Sequence, residues 1–276
     1  MLSGYRRAKE AHSTDTLVYA KMVRELIAYR GLIQMLVVRD LKARYRGSAL
    51  GLLWSLLNPL LYMGIYALVF SVYMRMAMEH YAAFLLCGLL PWIWFSSSLM
   101  AGATAIVEGG SLLKKVFFPP QVLPTVSVIT NFVNFLLSLP LLVGVLLLYG
   151  ITLGWALLAI PGVMTMQFAL TLGVTLIVSA TSVRYRDIPP ILTHLLTFWF
   201  FLTPILYPIT QAPARFRSLL LLNPMTPFCI AYQNALLYNT LPSWEVSAAM
   251  ISGGVVALLV GVFVFGLFRW SFAEEV

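Results

Sequence analysis

Residues 39–59 read RDLKARYRGSALGLLWSLLNP, and a cationic stretch changes there into an apolar one. Four basic residues fall within the first eight positions, and the run that follows, residues 52–74, contains no charged residue. About 20 apolar residues are enough to carry a helix across the hydrocarbon core of a bilayer. Basic residues directly before such a helix remain on the cytoplasmic side. The stretch therefore predicts a first transmembrane helix that begins at the cytoplasmic surface.

The composition extends this prediction to the whole chain. Of the 276 residues, 61% are hydrophobic and 10% are charged, whereas soluble domains carry about 25% charged residues. Six uncharged apolar runs are long enough to span, although prolines crowd both ends of the fifth. Their approximate bounds are residues 52–74, 82–106, 123–149, 155–181, 189–207 and 246–268. The chain is therefore predicted to be a polytopic membrane protein with six transmembrane helices.

The distribution of basic residues predicts the orientation. With the N-terminus inside, fifteen of the 18 Lys and Arg residues fall on the cytoplasmic side and three outside. Because basic loops resist translocation, both termini are expected to be cytoplasmic. The predicted organisation is a cytoplasmic N-terminal segment (1–50), a six-helix transmembrane domain (51–270) and a cytoplasmic tail (271–276). The net charge of +8 follows from this orientation and from contact with anionic lipids, so no nucleic-acid partner is predicted.

Two cytoplasmic segments have more pattern than simple connections need. Residues 17–38 place apolar side chains, including Met22 and Leu26, at three- and four-residue steps. This amphipathic helix is either a membrane-surface anchor or a docking surface for a cytoplasmic partner. The loop EGGSLLKKVFFPPQVLP, residues 108–124, predicts a short helix that is capped by Ser111 and extends to Phe118. Such a helix either transmits motion from an attached motor or only connects two spans.

The external segment, about residues 208–244, is long and divided by prolines. Its apolar stretches are too short to span, so they are expected to form interfacial or re-entrant helices that act as an external gate. The predicted fold class is thus an all-α polytopic membrane protein. It combines six transmembrane helices with an N-terminal amphipathic interfacial helix and short external re-entrant or gate helices.

Aromatic residues follow helical spacing in several predicted spans. The set comprises Tyr62, Tyr66, Phe70 and Tyr73 in the first span, Trp92 in the second, and Phe198, Trp199 and Phe201 in the fifth. Aromatic faces in a wet channel can stack on the apolar faces of sugar rings. They also fill cores and form interfacial belts. Both interpretations stay open for these residues.

The sequence lacks the residue patterns needed for nucleotide binding, metal binding and ion-coupled transport. The sequence contains no G-x-x-x-x-G-K-[S/T] motif and no metal-binding His spacing. No Asp or Glu falls inside a predicted span, whereas ion-coupled transporters generally need ionisable groups there. We therefore predict a transport subunit rather than an enzyme, with no catalytic residues, metal or cofactor of its own. Any energy must come from another polypeptide.

These features together resemble the membrane subunits of polysaccharide-exporting ABC transporters, the Wzm-like group of the ABC-2 type. The likeness covers essentially the whole chain. It is carried by R-D-L-K-x-R-Y-R…L-G-x-x-W…N-P in residues 39–59 and LLKKVFFP in residues 112–119. Tyr185-Arg186-Asp187 and Asn223-Pro224 add to it. The family exports O-antigen, capsule or teichoic-acid chains, and O-antigen is the expectation preferred here.

The resemblance implies a bacterial inner-membrane complex in which two copies of this chain, a homodimer, pair with two ATPase subunits that bind ATP and Mg. The substrate would be a lipid-linked glycan that moves between protomers along the aromatic residues named above. The implied lipid-headgroup site at the cytoplasmic entrance comprises Arg39, Lys42, Arg44 and Arg46. The implied ATPase-coupling residues are Ser111, Leu112, Lys114, Lys115, Phe117, Phe118, Met22 and Leu26. A permease for small lipids or drugs and an uncoupled lipid scramblase remain as alternatives.

Overall fold

The computed structural model describes residues 20–75, 78–116, 118–213, 215, 220 and 222–269, with the side chains of Tyr45 and Leu52 left outside that description. Within these residues every regular element is a helix, which confirms the all-α prediction. The first 19 residues, the predicted tail 271–276 and the predicted coupling residue Phe117 lie outside the described residues.

The described helices follow one another in a simple order. They are α1 (residues 20–28), α2 (Arg30–Tyr45), α3 (Trp54–Ala67, continued by a π-helix over Leu68–Tyr73), α4 (Tyr81–Glu108), α5 (Gly110–Lys115), α6 (Val122–Leu148), α7 (Ile160–Arg184), α8 (Ile188–Leu202), α9 (Thr226–Leu236) and α10 (Trp244–Phe268). Short 3-10 turns occupy Gly51–Leu53, Trp155–Ala159 and Ile209–Gln211. Gly47 and Gly51, which precede α3, have φ of 76° and 48°, values that glycine adopts without steric cost.

Five of these helices are long and apolar enough to cross a membrane: α3 with its π-helical continuation, α4, α6, α7 with the 3-10 turn before it, and α10. They correspond to the first four predicted spans and the sixth. The predicted fifth span is α8, which has only 15 residues. It ends early because Thr203 precedes Pro204 and takes an extended conformation, as residues before proline prefer. The prediction of a sixth crossing stays a prediction.

Helix α4 lies at the centre of the bundle and packs against α3, α6, α7, α8 and α9. In its most apolar stretch 78% of the residues are buried, against 6% for α3. Helices α7 and α10 approach closely, since a Cβ atom on Gly173 would lie 2.2 Å from the backbone oxygen of Ala257. Helix α3 is thus a peripheral element that leaves most of its surface uncovered in the single chain.

The amphipathic segment forms two helices, α1 and α2, whose apolar faces pack against the chain itself. Met22 is buried in a cluster with Val183 of α7 and Phe265 of α10. Leu36 of α2 is buried in a second cluster with Val122 of α6. Helices α1, α2 and α5, the start of α6 and the ends of α7 and α10 therefore lie together. We call this the basic end, the side that charge distribution predicts to be cytoplasmic.

Two details of the loop after α4 differ from the prediction. Helix α5 has Gly109, not Ser111, at its N-cap, and no side chain caps it. It also ends at Lys115 rather than at Phe118, because Val116 is already extended. Phe118 is instead buried against α2, so packing of this aromatic side chain replaces the last predicted helical turn.

The predicted apolar stretch in the external segment contains α9, a helix of 11 residues that extends about 16 Å. It is too short to span, as expected. Most of its residues are buried, so it is part of the core and does not lie on the surface. The chain that leads from α8 to α9 is held by side-chain bonds: Gln233 Nε2 donates to the carbonyl of Pro204 at 2.8 Å, and Tyr81 donates to that of Leu206 at 2.9 Å.

Candidate functional site

An open groove of about 550 Å³ lies between α3, α4 and α8; we call it the aromatic groove. Helix α3 contributes its partly uncovered face, and α4 forms the floor. The lining residues are Tyr62, Tyr66, Leu89, Trp92, Ile93, Ser96, Ser97, Met100, Thr193, Leu196, Thr197, Phe200 and Phe201. Aromatic rings and small hydroxyl side chains thus dominate a surface that no Lys, Arg, His, Asp or Glu lines among the described residues.

The rings of the aromatic groove form one continuous series. Tyr62 stacks on Tyr66 with ring centroids 6.3 Å apart, and Tyr66 lies 5.4 Å from Phe200. Phe200 is also 5.8 Å from Trp92 and 5.4 Å from Phe201. Tyr62 and Phe201 are about half exposed, at 49% and 54%, whereas Trp92 and Phe200 are buried. The exposed rings offer flat apolar faces, which suit the C–H faces of sugar rings and accept different monomers in turn.

The structure divides the aromatic residues predicted to line a conduit. Four of them, Tyr62, Tyr66, Trp92 and Phe201, line the groove. The other four do not line it. Phe70 contacts Tyr81, Trp199 contacts Phe95, and Tyr73 and Phe198 are exposed elsewhere on the chain.

Phe200 is the central groove residue that the sequence interpretation missed. It is only 7% exposed and bridges the rings of α3 and α4. Its position follows from the spacing of the α8 residues that line the groove, which are Thr193, Leu196, Thr197, Phe200 and Phe201. These steps of three and four residues define one helix face. The same periodicity would have identified Phe200 and excluded Phe198.

A second cavity, of about 420 Å³, lies against the N-terminal part of α3, on the same helix face as the groove; we call it the Arg44 cleft. Its polar lining residues are Arg44, Ser48, Ser55, Asn58, Ser97, Asn131, Asn134 and Ser138. Arg44 Nη1 donates to Asn131 Oδ1 at 3.1 Å, and Asn131 Nδ2 donates to the carbonyl of Ser127 at 2.9 Å. The second bond fixes the amide orientation, so the guanidinium is held at the mouth of the cleft.

Of the four cations predicted to bind a lipid headgroup, the cleft includes Arg44 among its described lining residues. Arg39 forms an ion pair with Asp40 at 2.9 Å. Lys42 and Arg46 are exposed on α2 and in the turn after it. The fold therefore separates one cation that faces a polar cavity from three that do not line it.

The predicted ATPase-coupling residues also divide into two groups. Ser111, Lys114 and Lys115 are exposed on α5. The remaining described members face inward: Met22 and Phe118 are buried, and Leu26 and Leu112 pack against the same clusters. These four side chains join α1 and α5 to the membrane helices, and a role in coupling stays a prediction for all of them.

Glu25 connects three elements at the basic end, which the sequence interpretation did not anticipate. Its Oε1 atom accepts a bond from Arg269 Nη2, after α10, at 3.1 Å. Its Oε2 atom accepts one from Gln121, at the N-terminus of α6. Glu25 is the single acidic residue among residues 20–39, and the other four charged residues in this range are basic. That isolation was the signal available in the sequence.

Comparison with known proteins agrees with this architecture. The chain is 46% identical over 258 residues to the O-antigen export system permease protein RfbA of Myxococcus xanthus, covering 93% of this chain and 99% of the relative. It is 33% identical over 248 residues to a protein of the same name from Klebsiella pneumoniae, covering 88% and 95%. It is 25% identical to the polysialic acid transport protein KpsM of Escherichia coli over 70% of this chain and 76% of the relative. Residues 31–237 match the model of the ABC-2 type transporter family. By this match and by its similarity to the permeases, the chain belongs to the ABC-2 type transporter family.

Proposed function

We propose that this chain is the transmembrane subunit of an ATP-driven ABC exporter that moves a lipid-linked polysaccharide, O-antigen in the first place, out of the cytoplasm across the bacterial inner membrane. The observation that carries the proposal is the aromatic groove, with its continuous series of rings. The names of the two most similar relatives cited above support it, since both are O-antigen export permeases.

The conduit in this proposal forms between two copies of the chain. Helix α3 leaves almost all of its apolar stretch uncovered in the single chain, and the groove opens beside it. A symmetric homodimer that faces these surfaces toward each other encloses the two grooves as one passage. Six crossings with both termini in the cytoplasm place the basic end at the source of the substrate.

The Arg44 cleft is the proposed site for the lipid-linked diphosphate. A guanidinium group presents several N–H donors in a plane and binds phosphate oxygens in pairs. Arg44 is held by Asn131, and further asparagine and serine side chains line the same cavity. In this arrangement the charged reducing end of the substrate is bound beside α3 while the glycan occupies the aromatic groove.

Energy comes from a separate cytoplasmic ATPase subunit, which binds ATP and Mg, in a complex of two copies of each chain. The exposed residues of α5, Ser111, Lys114 and Lys115, are the proposed contact surface. Helix α5 begins directly after the central helix α4, so a push on α5 acts on the floor of the groove. Affinity purification of the chain tests this partnership, and an ATPase is expected to copurify at 1:1 stoichiometry. Absence of an ATPase after purification in mild detergent contradicts the partnership.

Photo-crosslinking tests the conduit. A benzophenone amino acid replaces Phe201, which lines the groove, or Ile251, which is comparably exposed on α10. In cells that export the glycan, position 201 is expected to label it and position 251 to label lipid only. Equal glycan labelling at both positions, or labelling at 251 alone, contradicts a conduit in the aromatic groove.

A further inference from the structure

Three hydroxyl groups in the aromatic groove, those of Ser96, Thr193 and Thr197, already donate their hydrogen bonds inside the protein. Ser96 Oγ donates to the carbonyl of Trp92 at 2.9 Å. Thr193 Oγ1 donates to the carbonyl of Pro189 at 3.0 Å, and Thr197 Oγ1 donates to that of Thr193 at 2.8 Å. A hydroxyl that donates in this way keeps its oxygen lone pairs for an incoming donor. These three oxygens therefore present hydrogen-bond acceptors to the groove.

The groove also lacks charge along its described lining. Arg44 lines the neighbouring cleft and is not among the residues that line the groove. Ile93 and Ser97 of α4 line both cavities, which are therefore adjacent. An anionic group in the groove would lose hydration without meeting a counter-ion, and such a loss is costly.

We propose that the aromatic groove selects uncharged, hydroxyl-rich glycan segments over anionic ones such as polyuronates or polyol phosphates. This inference rests on the proposed conduit and narrows its substrate class. Sugar hydroxyls donate hydrogen bonds to the acceptor oxygens of Ser96, Thr193 and Thr197, whereas carboxylate and phosphate groups only accept them. Tyr62 and Tyr66 have hydroxyls that can donate, but a neutral donor does not replace the hydration of a full charge.

The same reasoning assigns different parts of the substrate to the two cavities. The Arg44 cleft takes the single charged group of the substrate, the phosphate-bearing end. The groove takes the neutral repeats that follow it. Arg44 is not among the described residues that line the groove, so each repeat passes a lining without a fixed charge that would hold it.

The test measures binding of two probes to the full chain in nanodiscs by saturation-transfer NMR at 0.5 M NaCl, which screens attraction to the basic end. The probes are neutral mannohexaose and anionic hexagalacturonate. Wild type is expected to bind mannohexaose at least tenfold more tightly than hexagalacturonate. T193V and T197V keep side-chain size but remove the acceptors, and each is expected to weaken mannohexaose binding about fivefold. T193S and T197S are the matched controls and stay within twofold of wild type.

A gain-of-charge variant completes the design. T197K puts a cation into the groove and is expected to raise the relative affinity for hexagalacturonate about tenfold. The selectivity is overturned if the two probes bind wild type equally and the valine variants bind mannohexaose as tightly as wild type does. The proposed conduit still stands in that case if position 201 labels the glycan. Failure of both probes to bind wild type overturns the inference, and absence of labelling at position 201 then overturns the conduit as well.

Discussion

Replacing Glu25 by alanine should release helix α1 from the basic end of the bundle. In the folded chain the carboxylate accepts one bond from Arg269 and one from Gln121. The ion pair is partly buried, with side chains 19% and 28% exposed for Glu25 and Arg269. At that burial, solvent screens the pair less than it screens a surface salt bridge.

The expected magnitude follows from these contacts. A hydrogen bond to a charged group contributes about 1.5–3 kcal/mol, and the alanine variant also leaves Arg269 partly buried without its carboxylate. Some of this loss is recovered because water reaches the exposed part of the guanidinium. We therefore expect the free energy of opening of α1 to fall by about 2 kcal/mol, which corresponds to a roughly 30-fold higher population of the open form.

Hydrogen–deuterium exchange of the full chain in nanodiscs measures this opening directly. Amides of residues 20–28 should exchange about 30 times faster in E25A, while those of the central helix α4 keep their wild-type rates. R24A is the matched control, since Arg24 is exposed on the same helix, and it should stay within about threefold of wild type.

A double-mutant cycle identifies the ion pair as the cause. E25A and R269A remove the same interaction, so their combined effect should be about 1–2 kcal/mol smaller than the sum of the single effects. Unchanged exchange of residues 20–28 in both single variants would refute the reasoning. Strict additivity of the two changes would show that Glu25 and Arg269 act independently.

Three other substitutions test the packing and the cavities. F200A removes a buried ring that bridges α3 and α4 and should lower the free energy of unfolding by about 3–4 kcal/mol. F198A, at an exposed position, should lower it by less than about 0.5 kcal/mol. Thermal unfolding in detergent compares the two variants, and equal losses would contradict the groove geometry. G173V places a branched side chain against the backbone of α10, so monodisperse protein should be lost on size exclusion, and a normal yield would argue against this close approach. R44Q should weaken binding of inorganic pyrophosphate about tenfold, while K42Q, on an exposed lysine, should leave it unchanged; similar losses in both variants would indicate nonspecific attraction.

The long apolar helices were predictable because the free energy of transferring a segment into hydrocarbon is close to the sum of contributions from its consecutive residues. The predicted span 82–106 is observed as Tyr81–Glu108, and the predicted span 246–268 as Trp244–Phe268. The boundaries lie where charges, glycines and prolines interrupt the apolar run. The sequence also predicted that the 208–244 segment holds a helix too short to span, which is α9.

The identity of the site residues depended on tertiary structure. Four cations lie within residues 39–46, directly before the first span, and packing of α2 against α6 decided that Arg44 reaches Asn131. Rotation of α8 about its axis placed Phe200 rather than Phe198 in the groove. The inward position of Met22 required cluster partners from α7 and α10. Hydropathy is a local property of consecutive residues, whereas the contacts of a side chain depend on how helices far apart in the chain rotate and pack against one another. The sequence alone therefore determined which segments form helices long and apolar enough to cross a membrane, and only the fold decided which of their side chains meet.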